Sequence, residues 1–443
     1  MKNKFFAVFV IILLVLMSRD FLYSQSKVIS LEEALKLALE NNYSIQIVKK
    51  TSEIANNNVS IGNAGMLPKI DAVAGGSYSK SDLDMVIAAG GMPQNISKKG
   101  NTTKAYNASI DLNWTLFDGF AMFISYNKFE ELRDKSNIEL QIAIENMFRN
   151  IINSYFEGLK LQERLKILGE NLQISRNRLE RVRGRAELGA ALKVEVFKAE
   201  VDLNIDSSAY LQTKLAYDNM VRNFNYLVGN SIDEGINFDN RIEIDTALSM
   251  EELLQLTMNK NSSLNKAIKE RVISELDYDL INSQYYPRIS FKTGYSYSRQ
   301  ENDAGFMLSN QTNGFSFGLN AAWNLYDGQK TSIQSQNARV NVLINELKYQ
   351  DIEKQIKLSF VNAFNNYKKR VEILEIEKYN LKSAQANFER SLELYNLGQL
   401  TSIEFREAQV NLMNAKNRIN EALYSLKIAE TELLILSGNF LSH

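Results

Sequence analysis

The chain contains no cysteine, and its one histidine is the final residue, His443. The missing cysteine excludes disulfides, thiolate metal sites, a cysteine nucleophile and a lipidated cysteine, so we expect an unlipidated protein. A terminal histidine excludes an imidazole base inside a cleft. No cofactor fingerprint occurs either. These absences together favour a protein that is not an enzyme and that needs no metal or cofactor.

The chain also has little net charge. Its 51 Lys and Arg and 52 Asp and Glu leave a formal charge of −1. Proteins that bind nucleic acid depend on clustered positive charge to neutralise phosphates. The composition therefore argues against nucleic acid as a partner.

Long apolar runs are almost absent. The only one extends from Phe5 to Met17 and follows Lys2 and Lys4. It is too short to span a bilayer, because a spanning helix needs about 20 apolar residues. The pattern is typical of an export signal, predicted over residues 1–24 with cleavage near Ser24. An uncleaved anchor is the alternative.

Proline is scarce, and its three occurrences are Pro68, Pro93 and Pro287. Proline-free tracts permit long helices, and we predict them over 119–188 and 329–397. At about 1.5 Å per residue, each would be roughly 100 Å long. Return helices over 192–228 and 401–437 carry apolar residues at alternating steps of three and four, which is typical of antiparallel coiled coils.

The two tryptophans lie in nearly identical stretches, WTLFDGF from residue 114 and WNLYDGQ from residue 323. Two further pairs of stretches match in the same way. SLEEALKLALE from residue 30 matches SMEELLQLTMN from residue 249, and VEVFKAEVDL from residue 194 matches IEFREAQVNL from residue 403. We interpret the chain as one unit written twice. The first repeat covers 25–229, a linker covers 230–248 and the second repeat covers 249–438.

Each repeat begins with short helices, predicted over 31–66 and 249–285, and continues into a β-hairpin. The hairpins, over 69–116 and 288–325, alternate apolar and polar residues, as strands with two different faces do. Their strands are long enough for a tilted crossing of a bilayer, which takes about 9–11 residues. A soluble sheet is the alternative, but the flanking long helices offer no globular core to cover it. The additional residues of the first hairpin are expected in a loop within Ser81–Lys104.

The repeated motif is expected where each hairpin leaves the lipid. Aromatic residues favour the membrane–water boundary, and an Asp suits the positive start of a helix. The predicted interface junctions are Trp114, Phe117, Asp118 and Gly119 in the first repeat, and Trp323, Tyr326, Asp327 and Gly328 in the second.

Four strands cannot close a barrel, and an open sheet edge is not viable in lipid. The chain must therefore oligomerise if the strands cross a membrane. Two copies give eight strands, whose interior is filled by side chains. Three copies give twelve strands, the first count with room for a channel.

The repeat, the two W-x-L-[FY]-D-G motifs and the two Leu-Gly helix ends together resemble the TolC family of outer-membrane efflux proteins. The resemblance covers nearly the whole mature chain. It implies an α+β membrane protein of long antiparallel helices forming an α-barrel, with four transmembrane strands per chain. Three chains would complete a twelve-stranded barrel in the outer membrane of a Gram-negative-type bacterium, and the helices would extend into the periplasm.

The same resemblance implies a passive exit duct of a tripartite efflux or type I secretion system. Its partners would be two further copies of the chain, outer-membrane lipid, a periplasmic adaptor and an inner-membrane pump. The alternative is a structural coiled-coil tether without channel activity. Drug, metal and protein export all remain open.

The resemblance assigns two sites. Adaptor-docking tips correspond to Leu188, Gly189 and Leu192, and to Leu397, Gly398, Leu400 and Thr401. A periplasmic gate corresponds to Glu404 and Glu407, with Tyr395 bonded to Glu195. The position of the family's gate arginine is occupied by Leu400 here, which is a departure from the family pattern. The alternatives are an ordinary tight turn at the tips and solvated glutamates on a charged helix.

Overall fold

The computed structural model describes residues 27–242, 244–245, 248–305 and 307–438. The predicted export signal over 1–24 lies outside the described residues. The elements in chain order are β1 Lys27–Ile29, α1 Leu31–Asn41, α2 Tyr43–Asn58, β2 Lys69–Ala89, β3 Met92–Phe117, α3 Ala121–Glu187, α4 Lys193–Val228, β4 Ile236–Phe238, α5 Met250–Lys260, α6 Ser262–Asn282, a 3₁₀ turn Ser283–Tyr285, β5 Arg288–Asn302, β6 Ser309–Ala322, α7 Lys330–Asn396 and α8 Ser402–Leu436.

Helices α3 and α7 are the long helices of the two repeats, and each contains 67 residues. Neither contains a proline, so the hydrogen-bond ladder is not interrupted by that residue. Both are followed by a glycine with left-handed backbone, Gly189 at φ 74° and Gly398 at φ 73°. The return helices α4 and α8 contain 36 and 35 residues.

The four longer strands form one antiparallel sheet in the order β2-β3-β5-β6. The two strands of each hairpin pair with each other. The two hairpins join through β3 and β5, where Thr103 faces Asn302 and Leu112 faces Thr293. Among the described strands, β2 and β6 therefore lie at the two edges of the sheet.

The additional residues of the first hairpin form strand rather than the expected loop within Ser81–Lys104. Pairing continues through a register shift after Ser81 to the pair Ala89–Met92, and the chain turns at Gly90 and Gly91. Both glycines have positive φ, which is the backbone conformation of a tight two-residue hairpin turn. The loop prediction was therefore wrong, because Gly90 and Gly91 form a tight turn that lets the two strands pair up to it.

Two other predicted bounds are corrected. The short helices expected over 31–66 end at Asn58, and residues 59–68 form turns before the strand that follows Pro68. The second hairpin, expected to end at residue 325, ends at Ala322, so that Trp323 follows its strand whereas Trp114 lies within β3. The strand β6 has no further partner beyond Arg288 of β5 in the described chain, which explains its earlier end.

The linker between the repeats contains a short strand of its own. Strand β4 pairs in parallel with β1, and two tyrosine hydroxyls hold it in place. Tyr155 donates to the carbonyl of Asp239 at 2.9 Å, and Tyr217 donates to that of Ile236 at 2.9 Å. Burial raises the pKa of both phenols to about 12, so they remain protonated donors near neutral pH.

The described residues divide into two compact units. One contains residues 27–50, Ile138–Asn265 and 351–438, and the other contains Thr51–Asn137 and Lys266–Gln350. Three apolar clusters lie in the first unit, and the four-stranded sheet lies in the second. Among the described helices, none combines the length and apolar composition that crossing a membrane requires.

Candidate functional site: strand–helix junctions, tips and gate

The Asp of each repeated motif binds the first turn of the long helix that follows it. Asp118 Oδ1 accepts the N–H of Met122 at 3.2 Å. Asp327 Oδ2 accepts the N–H of Thr331 at 2.9 Å and its hydroxyl at 2.6 Å. A carboxylate at this position satisfies N–H groups that have no partner within the helix.

The residues after each Asp adopt the same unusual backbone in both repeats. Gly119 and Phe120 have φ of 72° and 71°, and Gly328 and Gln329 have φ of 69° and 71°. Two consecutive left-handed residues reverse the chain sharply, and only the first of them is glycine. The repeated Asp-Gly therefore encodes a turn from strand into helix.

Both tryptophans bind the chain segment that leads into the hairpin. The Trp114 indole Nε1 donates to the carbonyl of Met66 at 2.8 Å, and that of Trp323 donates to the carbonyl of Tyr285 at 3.0 Å. Each acceptor lies two residues before a proline that precedes a strand. The tryptophans thus join the two ends of each hairpin, a contact that the sequence pattern alone did not indicate.

The two junction glycines have different surroundings. A Cβ on Gly119 would lie 2.2 Å from the carbonyl oxygen of Ser283, whereas a Cβ on Gly328 would meet nothing within 4 Å. Gly119 therefore permits a close approach between the two repeats. The corresponding side of Gly328 is open in the described part of the single chain.

The two predicted tips are exposed helix ends with the same hydrogen bonds. The N–H of Ala190 binds the carbonyl of Arg185 at 2.7 Å, and the N–H of Gln399 binds that of Leu394 at 2.9 Å. Such bonds across a left-handed glycine end a helix by the Schellman arrangement. Leu188 is 85% exposed and Leu397 is 65% exposed, so apolar surface is presented at both tips.

Leu192 and Leu400, the other predicted tip leucines, differ in exposure. Leu192 precedes α4 and is 68% exposed. Leu400 packs at the edge of an apolar cluster that includes Phe388, Phe405 and Leu412. Leu400 therefore provides an apolar contact at this tip.

Glu404 forms the capping box of helix α8. Its Oε2 accepts the N–H of Thr401 at 2.9 Å and the Thr401 hydroxyl at 2.7 Å, while the Glu404 N–H binds Thr401 Oγ1 at 3.3 Å. These donors lower the pKa of the Glu404 carboxyl, so the group remains ionised at neutral pH. Glu407 follows one helical turn later on the same helix.

The hydrogen bond expected between Tyr395 and Glu195 is not present. Tyr395 is buried and stacks on Phe405 with ring centres 4.6 Å apart and planes 2° apart, and Arg181 lies 5.4 Å from its ring centre. Its hydroxyl has no partner among the described residues. Stacking against the apolar cluster directs the ring inward and replaces the predicted contact.

Glu195 nevertheless lies near the start of α8. It lines a cavity of about 500 Å³ together with Ser402, Ile403 and Arg406 of α8. The structure therefore brings Glu195 of the first repeat to helix α8, which carries Glu404 and Glu407.

A set of buried and partly buried polar side chains beside this cavity was not predicted from the sequence. Arg178 and Ser175 of α3, Asp202 and Asp206 of α4, and Arg406 of α8 are joined by ion pairs and hydrogen bonds. The sequence signal was Asp206, an acid within the heptad stripe of the return helix.

The chain matches the family model described as outer membrane efflux protein over residues 34–230 and 253–439. It is 20% identical over 410 residues to the outer membrane protein TolC of Vibrio cholerae serotype O1, covering 91% of this chain and 89% of the relative. It is 23% identical over 431 residues to the probable outer membrane lipoprotein SilC of Salmonella typhimurium, covering 90% and 84% of the two chains.

Solved structures show the same fold. The CmeC outer membrane channel of Campylobacter jejuni matches with a TM-score of 0.77 at 16% identity, covering 93% of this chain and 86% of that one. The open-state MtrE channel of Neisseria gonorrhoeae matches with a TM-score of 0.71 at 13% identity, covering 93% and 89%. These matches confirm the predicted α+β fold and give no support to the tether alternative. The chain belongs to the outer membrane efflux protein family and is an outer-membrane channel of an efflux system.

Proposed function

We propose that three copies of the chain form the channel, closing a twelve-stranded barrel. The observation that carries this proposal is the sheet with two edge strands, β2 and β6, each paired on one side only in the described chain. An edge in lipid leaves backbone N–H and C=O groups without partners, at a cost of several kcal/mol per group. Pairing β6 of one copy with β2 of the next removes both edges.

The open side of Gly328 supports a neighbouring copy. In the first repeat the matching glycine, Gly119, contacts Ser283 of the second repeat. The alignment of the repeats that pairs Ser30 with Ser249 also pairs Ala64 with Ser283. The same contact across a chain boundary would place Ala64 of the next copy against Gly328.

The helices present apolar surface where a neighbouring copy would pack. Side chains that are at least half exposed recur along α4 and along α7. On α4 they are Val194, Phe197, Val201, Ile205, Leu211, Leu215 and Tyr226, and on α7 they are Ile333, Val340, Leu343, Leu347, Leu358, Ile376 and Tyr379. Helix-on-helix packing between copies would remove these stripes from water.

The duct itself is passive, and its tips provide the contacts with partners. The exposed leucines beside Gly189 and Gly398 are small apolar surfaces at helix ends, suited to a helical periplasmic adaptor. The adaptor in turn connects the duct to an inner-membrane pump of an efflux or type I secretion system, which supplies the energy.

Glu404 and Glu407 form the cation-selective gate in this proposal. Three copies place six carboxylates around one axis, and like charges held close together raise the local concentration of cations. The lowered pKa of Glu404 keeps its charge in place at neutral pH. The channel is therefore expected to prefer cations and to be blocked by a trivalent cation from the periplasmic side.

Single-channel recording in a planar bilayer tests this gate. The double variant Glu404→Gln, Glu407→Gln removes the charge, and glutamine at position 404 retains the capping-box pattern. We expect the trivalent cation concentration for half block to rise at least about tenfold and cation preference to fall. A matched control is Glu393→Gln, an exposed glutamate near the same tip that pairs with Arg390. Block of the double variant at the parent's concentration would show that these residues are ordinary solvated glutamates.

A further inference from the structure

A neutral group of charges, two of them buried and two partly buried, joins the start of α8 to the first repeat. It contains two cations, Arg178 and Arg406, and two anions, Asp202 and Asp206. The pairs are Arg178 with Asp202, and Arg406 with Asp206 through two bonds of 2.7 and 2.9 Å. Arg178 and Asp206 are each 4% exposed. We call these four residues the inter-repeat clamp.

Neutral side chains form further hydrogen bonds around the clamp. Ser175 is fully buried and donates to Asp206 Oδ2 at 2.5 Å, and Arg406 Nη1 donates to Ser175 Oγ at 3.2 Å. Gln409 of α8 donates to Ser175 at 2.9 Å and to Asn171 Oδ1 at 2.9 Å. Arg178 Nη1 also donates to the carbonyl of Ser402, in the first turn of α8, at 3.4 Å. The bonds therefore connect α3, α4 and α8.

The clamp is a feature of one interface and not of the repeat as a whole. In the alignment that pairs Leu188 with Leu397, Ser175, Arg178, Asp202 and Asp206 correspond to Ala384, Asn387, Asn411 and Ala415, and Arg406 corresponds to Phe197. None of these five counterparts is charged. The packing of a long helix on a return helix therefore does not require these charges. Their presence at one interface only indicates a role specific to that interface.

The position of Arg406 indicates that role. It lies between Glu404 and Glu407 on α8, and its bidentate bond to Asp206 fixes this turn of the helix against the first repeat. We propose that the inter-repeat clamp positions the two gate carboxylates in this channel. The proposal rests on the proposed gate at Glu404 and Glu407.

A planar guanidinium bound at two points to a carboxylate fixes direction as well as distance. Loss of the Asp206 charge leaves Arg406 with only its longer contact to Asp202, at 3.9 Å, which favours movement of α8 away from α3 and α4. The adjoining cavity of about 500 Å³, lined by Arg178, Asp202 and Arg406, provides space for such movement. The gate carboxylates would then no longer be held in one arrangement.

The variant Asp206→Asn keeps the side-chain size and removes one charge of the clamp. In the planar-bilayer assay, we expect the trivalent cation concentration for half block to rise at least about tenfold, with both gate glutamates still present. Arg406→Lys keeps the charge but loses the bidentate geometry, and a similar rise is expected. If Asp206→Asn fails to assemble, Asp206→Asn with Arg406→Gln removes both charges, leaves no unpaired ion between them, and should show the same rise.

The matched control is Glu170→Gln, which breaks an exposed ion pair between the same two helices, Glu170 of α3 with Lys416 of α8 at 2.7 Å. It should leave block unchanged. If an assembled clamp variant is blocked at the same trivalent cation concentration as the parent, the clamp proposal fails while the gate proposal stands. If the parent channel is not blocked at all, the gate proposal itself fails, so the two failures are distinguishable.

Discussion

Gly398 shows how one residue can define a tip. Its φ is 73°, and a Cβ built on it would meet nothing within 4 Å. The position is therefore restricted by backbone conformation and not by space. Asn adopts the left-handed conformation more readily than other side chains, and a β-branched residue opposes it most.

We therefore expect Gly398→Val to weaken adaptor binding and export, and Gly398→Asn to retain most of both. Copurification with the adaptor and an export assay measure the effect, with size-exclusion chromatography confirming assembly. Equal export by the two variants would indicate that the left-handed helix end is not needed for docking.

At the scale of elements, the first hairpin is the clearest departure from the repeat. Beyond Ser81 its strands pair mainly with each other and reach a turn at Gly90 and Gly91, where a Cβ would meet nothing within 4 Å. The second hairpin has no such extension, since β5 ends at Asn302 and β6 begins at Ser309. The first hairpin thus projects beyond the paired sheet.

We expect this turn to face the outside of the cell. A short epitope inserted between Gly90 and Gly91 should be labelled by antibody on intact cells. The same epitope placed after Gly189, at a predicted periplasmic tip, should be labelled only after the outer membrane is permeabilised. The reverse pattern of labelling would show that the topology is inverted.

At the scale of the whole molecule, the repeat predicts the register between neighbouring copies. Within the chain, Leu112 of β3 faces Thr293 of β5. In the alignment of the two repeats, Leu112 corresponds to Ala321 of β6, and Thr293 corresponds to Ala74 of β2. Facing residues on antiparallel strands have Cα atoms about 4.5–5.5 Å apart, which is within the range for a disulfide.

Because the chain has no cysteine, the double variant Ala74→Cys, Ala321→Cys can form disulfides only between the two introduced residues. Oxidation in membranes should give covalent dimers and trimers and nothing larger. Ala74→Cys with Phe317→Cys, displaced by four positions along β6, is the control and should cross-link poorly. A product that stops at the dimer would contradict the three-copy channel.

The sequence alone determined the repeat, the long helices, the alternating strands and the strand–helix turns, because each depends on local periodicity or on a short motif. Absence of proline, period-two alternation and Asp-Gly act over a few residues. The same reasoning located the two Leu-Gly helix ends, whose left-handed glycines the structure shows.

The tertiary structure decided the contacts between distant residues. Asp206 and Arg406 are 200 positions apart, and neither the spacing nor the composition indicates that they meet. Tyr395 was expected to bond Glu195, but burial and stacking on Phe405 direct it elsewhere. The hydrogen-bond acceptors of Trp114 and Trp323 likewise depend on the fold, which brings each tryptophan back to the segment before its hairpin. Local pattern specifies the elements, whereas the pairing of their side chains depends on which faces packing brings together.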